Sequence, residues 1–61
     1  MMTLAEFTRL FPEDQVFDVD SPSVFSNGNR SHLMMFVPYL MGKKVKSART
    51  LEGGEVGVYV E

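Results

Sequence analysis

Leu4, Phe7, Leu10 and Phe11 recur at the three- and four-residue spacing of one helix face, and polar residues fill most positions between them. Thr3-Leu4-Ala5-Glu6 supplies the start signal. The Thr3 hydroxyl can accept from the Glu6 N–H while the Glu6 carboxylate reaches back to the Thr3 N–H, a capping box, with Met2 and Phe7 at the two positions of a hydrophobic staple. Pro12 disfavours helical geometry at Phe11, so the pattern predicts a helix over residues 3–10 that is too short to persist without packing.

The period then changes from helical to alternating. In residues 15–20, Phe17 and Val19 fall on one face and Asp18 and Asp20 on the other, which predicts a strand. Ser21-Pro22 breaks the ladder and Ser26-Asn27-Gly28-Asn29 carries turn chemistry, so residues 21–31 read as a loop with room for a brief extended piece at residues 24–25. Residues 32–41 are apolar and ambiguous. A straight helix capped by Ser31 would place Pro38 in its interior at a cost of ~3 kcal/mol. The preferred reading is a strand over residues 33–37, followed by one helical turn opened by Pro38 and closed by Gly42. A kinked helix is the alternative.

The last third predicts a hairpin, residues 44–51 and 55–60 around Gly53-Gly54, a pair able to supply both positive φ angles of a type I′ turn. A two-residue turn sets Leu51 opposite Val56 and Ser47 opposite Val60. Val45, Ser47 and Leu51 then share the core face with Val56, Val58 and Val60, while Lys44, Lys46, Ala48 and Thr50 lie outside with Gly57 and Tyr59, Lys46 facing Glu61. Arg49 is the misfit, pointing inward unless a bulge, a longer turn or a place at the sheet margin relieves it. The expected fold is α+β: an N-terminal helix packed on a small, mostly antiparallel four-stranded sheet, in the order α-β-β-short helical turn-β-β, as a single domain over residues 1–61.

Composition narrows what holds this fold together. A 61-residue chain buries only about 60% of the surface its unfolded form exposes. With no cysteine and one histidine, neither disulfides nor a four-ligand zinc site supports it. An apolar fraction of 44%, with five phenylalanines and two tyrosines, is that of a chain with a real core. The longest uncharged apolar run, residues 33–41, is about half of the ~20 residues that span a bilayer as a helix, and no basic and apolar leader opens the chain. The expectation is a cytoplasmic protein without a membrane span or secretory signal.

The layout carries a resemblance. Val37-Pro38-Tyr39-Leu40-Met41, then Lys44-Val45-Lys46-Ser47, then Glu55-Val56-Gly57-Val58-Tyr59-Val60, behind Thr3-Leu4-Ala5-Glu6-Phe7, looks like short uncharacterised proteins carried by conjugative elements and prophages of Gram-positive bacteria. The long loop at residues 21–31 departs from that layout. The resemblance implies a small bacterial mobile-element accessory protein and transfers no catalytic residue.

Four chemistries are open to these side chains, each beside a plainer structural role. His32 is the one side chain that titrates near neutrality, yet Ser31 beside it would point to the opposite strand face, and an approach of Asp18 or Asp20 is only generic. Asp18, Asp20, His32 and Asn29 could supply metal ligands, but the spacing of a calcium loop is missing and a solvated acidic strand face accounts for the aspartates. No catalytic residue, metal site or cofactor is therefore expected. Lys43, Lys44, Lys46 and Arg49 form a basic segment in a chain of net charge −2, and Tyr59 on an outer sheet face could stack on a base. Nucleic-acid binding through these five residues is the alternative function; four charges neutralise few phosphates, and a basic edge that deters aggregation is the plainer reading. The preferred function is non-enzymatic protein contact, with a partner protein or a second copy, through Met34, Phe36, Tyr39 and Met41. A one-sided core would leave Met34 and Phe36 outside, and flexible Met suits adaptable surfaces. The chain's small size favours a homodimer.

Overall fold

The computed structural model describes residues 1–61. The first helix, α1 (Leu4–Thr8), begins at the expected capping box: the Glu6 N–H donates to Thr3 Oγ1 at 3.2 Å and the Thr3 N–H donates to Glu6 Oε1 at 2.8 Å. Turns continue to Phe11, short of Pro12. Leu4 is wholly buried, and Phe7 and Phe11 pack on Phe17 with ring centroids 6.2 and 5.3 Å away. Thr8 is buried too, and its hydroxyl donates to the Ala5 carbonyl at 3.0 Å, so the buried oxygen costs little. Leu10, expected on the apolar face, is exposed because the helix has ended before it.

Four strands follow: β1 (Phe17–Asp20), β2 (Phe25–Gly28), β3 (Val45–Thr50) and β4 (Val56–Val60). They form one sheet in the order β2-β1-β4-β3. β1 pairs antiparallel with β2, β3 antiparallel with β4, and β1 and β4 run parallel at the centre. The sheet is thus mixed, and the fold is the expected α+β arrangement of an N-terminal helix, four strands and a short helical turn. Phe17, Val19, Val56, Val58 and Val60 point into the core, where burial of each large side chain is worth roughly 1.5–3 kcal/mol.

The second strand is not the expected one. Residues 33–37 belong to a helix, α2 (Arg30–Phe36), and the sheet takes its edge strand from residues 25–28, in the stretch read as a loop. Pro38 does exclude a helix running through residues 32–41. It does not exclude one that starts earlier and stops at Phe36. Asn29 provides that start: its side chain accepts from the His32 N–H at 2.9 Å. Pro38 then opens a 3-10 turn, Pro38–Gly42, as expected.

The hairpin register also shifts by one. The Leu51 N–H donates to the Glu55 carbonyl at 2.8 Å, closing a three-residue turn in which Gly53 and Gly54 both have φ of 84°. Thr50 therefore faces Val56, Ala48 faces Val58 and Ser47 faces Tyr59; a bulge then sets Val45, in place of the expected Ser47, opposite Val60 and keeps it on the core face. Ser47 and Leu51 leave the expected core face, Ala48 and Thr50 join it, and Arg49 moves outward opposite Gly57. Both the longer turn and the bulge are present, and together they resolve the Arg49 conflict. No helix is long and apolar enough to cross a membrane.

Candidate functional site

Leu33 and Val37 stand one helical turn apart and both enter the core, so the three residues between them are turned toward the surface of α2. Met34 is 50% exposed, Met35 73%, Phe36 64% and, in the following turn, Tyr39 56%. Leu40 and Met41 instead close the core; at 8% exposure Met41 is unavailable for contact, and it leaves the expected set. Met35 takes its place. Alternation in a strand hid Met35 on the core side, whereas the Leu33/Val37 spacing of four, read as helical, exposes it.

The helix is held to β2 by its own turn chemistry. Gly28 lies opposite Phe17 on the helix side of the sheet, and a Cβ there would stand 2.6 Å from His32 Cγ. The His32 ring occupies that space and lies 4.6 Å from the Phe36 ring, centroid to centroid. Histidine and phenylalanine thus pair on one flank of α2; Met35 stands outermost and Met34 on the other flank, and these exposed side chains together are the ridge of α2.

This placement separates the residues weighed for catalysis or metal binding. Asp18 and Asp20 alternate with the buried Phe17 and Val19 and so occupy the outer sheet face, while His32 is on the helix side. The Asn29 side-chain oxygen is engaged in capping α2. The sheet stands between the carboxylates and the imidazole, and the four residues are not brought together.

The outer face carries a shallow concavity of about 330 Å³, bordered by Asp18, Asp20, Phe25, Arg49, Leu51 and Tyr59. Asp18 Oδ1 is shielded from solvent there without a hydrogen-bond donor. Of the basic segment, Arg49 reaches this face and shares it with Tyr59, but Tyr59 is the register partner of Asp20. A base stacked on Tyr59 would bring its phosphate toward two carboxylates. Lys46 pairs with Glu61 at 3.5 Å, the contact expected from the sequence, at an exposed site where such pairs are worth roughly 0–1 kcal/mol. Lys43 and Lys44 sit where the N-terminal residues bridge onto the start of β3. The five nucleic-acid candidates therefore do not form one basic platform.

Comparison with protein-family models, with curated proteins and with solved structures found no match.

Proposed function

We propose that the chain is a non-enzymatic accessory protein that acts through protein contact, and that the ridge of α2 is its contact surface, with a second copy of the chain as the occupant. One observation carries this reading: four large apolar side chains, Met34, Met35, Phe36 and Tyr39, are all half or more exposed on one short segment. Isolated exposed apolar residues are ordinary, whereas four within the six residues from Met34 to Tyr39 support a contact surface on this segment. Its composition agrees, because two adjacent methionines adapt to a partner's shape and the aromatic rings anchor it. The small core adds a reason for self-association, since covering the ridge stabilises a chain that has no cysteine to crosslink it. The setting we infer is the bacterial cytoplasm, an inference supported by the cysteine-free sequence and by the resemblance of its layout to mobile-element proteins.

Sedimentation velocity at micromolar concentration, comparing the wild type with Phe36→Asp, tests this function. Phe36 is mostly solvent-exposed, so the substitution leaves the core intact while placing a charge in the contact. The expected result is a dimer for the wild type and a folded monomer for the variant. A wild type that stays monomeric, or a variant that associates equally well, contradicts the proposal.

A further inference from the structure

The ridge lies over β2, at one margin of the sheet; the opposite margin is β3, whose outer edge pairs with no other strand. The start of that edge is covered. The Leu4 N–H donates to the Lys43 carbonyl at 2.9 Å and the Val45 N–H donates to the Met2 carbonyl at 3.0 Å, so the N-terminal residues occupy the edge as far as Val45. From Lys46 to Thr50 it is open.

The hydrogen-bond pattern shows which backbone groups the open part presents. Leu51 bonds to Glu55 across the hairpin, while the Val56 N–H turns the other way and donates to the Val16 carbonyl at 3.1 Å. Bonded and non-bonded pairs alternate along an antiparallel ladder, so Arg49 and Ser47 bond to β4, whereas Ala48 and Thr50 direct their N–H and C=O groups to the free edge. The side chains of Ala48 and Thr50 lie on the core side, opposite Val58 and Val56. Yet both are exposed while both partners are buried, because the helical layer stops short of β3. Four unpaired backbone groups thus border a strip of small side chains with nothing packed over it.

We infer that this edge accepts an acidic, extended segment of a partner protein as a fifth strand. The unpaired N–H and C=O groups are matched by another strand's backbone, which a nucleic acid does not supply. Charge selects the strand. Lys46 and Arg49 flank the open groups, with Lys43 and Lys44 beyond them at the covered start of the edge, and only Lys46 has a carboxylate within ion-pair distance. Acidic side chains on the incoming strand would meet Arg49 on the outer face and Lys46 at the near end of the open stretch. A second copy fits poorly here: two β3 edges joined antiparallel about Arg49 would set that guanidinium against its own copy. This edge is separate from the α2 ridge, and neither reading depends on the other.

The test uses the whole protein with three probes: a nine-residue peptide alternating glutamate with threonine, the same peptide with lysine for glutamate, and a single-stranded oligonucleotide. Amide hydrogen exchange followed by NMR is the readout. The glutamate peptide is expected to slow exchange at Ala48 and Thr50 by about tenfold or more, with no such change from the lysine peptide. Thr50→Pro removes an N–H that the fold does not use and keeps Arg49 extended, so it should preserve the fold and weaken glutamate-peptide binding by about tenfold or more. If that variant does not fold, Arg49→Glu replaces it and is expected to lower the preference for the glutamate peptide over the lysine peptide by a similar factor. No protection at Ala48 and Thr50, equal binding of both peptides, protection by the oligonucleotide alone, or variants that bind as the wild type does would each overturn the inference.

Discussion

Thr3 and Glu6 show how one local motif sets both a helix start and a titration. The Thr3 backbone N–H, and then its hydroxyl, hold the Glu6 carboxyl below its ordinary value, with the charges of Lys44 and the N-terminus acting in the same direction. A carboxyl whose folded-state pKa is depressed stabilises the fold fully above the unfolded-state value, and that contribution is lost as pH falls through the folded-state value. A carbon-detected NMR titration should therefore place the Glu6 midpoint below the ordinary glutamate range, and Thr3→Ala should return it toward that range. A Glu6 midpoint already at the ordinary value in the wild type would show that the capping box does not persist in solution. Thr3→Ala should also cost about 1 kcal/mol of stability, the usual loss for a deleted N-cap.

Between elements, the tightest constraint is where α2 meets β2. A Cβ at Gly28 would stand 2.6 Å from His32 Cγ and 2.8 Å from His32 Cβ, so a rotamer change at His32 relieves only the first conflict. Gly28→Ala is expected to destabilise by roughly 1–3 kcal/mol in urea unfolding, as overpacking does. His32→Ala should restore part of that loss but not all, because the His32 Cβ remains. Full restoration, or no effect of Gly28→Ala at all, would mean that α2 does not pack on β2 as described.

Element by element, local signals succeeded and register-dependent ones failed. The capping box at Thr3, the alternation of Phe17 and Val19, the 3-10 turn opened by Pro38 and the hairpin around Gly53-Gly54 rest on contacts within a few residues, and all are present. The strand expected over residues 33–37 is a helix because Asn29, a residue equally suited to turns, caps it through its side chain. β2 was missed because Ser26, Asn27 and Gly28 have poor strand propensity and gain their conformation from pairing with β1, a tertiary effect. The inward-pointing Arg49 was the one visible sign that the hairpin register was off. The same failures reshaped the candidate site: Met34, Phe36 and Tyr39 stayed on the surface, Met41 moved into the core, and Met35 emerged once residues 30–36 became a helix.

The whole molecule spans about 24 × 21 × 20 Å around ten buried apolar side chains, with the exposed ridge at one margin and the basic edge at the other. A core of that size leaves little stability in reserve, roughly 3–5 kcal/mol for a chain of this length, so covering the ridge matters to the fold itself. If two copies meet there, folding and association are one equilibrium, and the stability of the chain depends on its concentration. The most direct measurement is thermal unfolding by circular dichroism over a hundredfold range of protein concentration, for the wild type and for Phe36→Asp. Self-association through the ridge predicts a melting temperature that rises by roughly 5–10 °C over that range for the wild type and stays constant, at a lower value, for the variant. A wild-type melting temperature that does not change with concentration would contradict it.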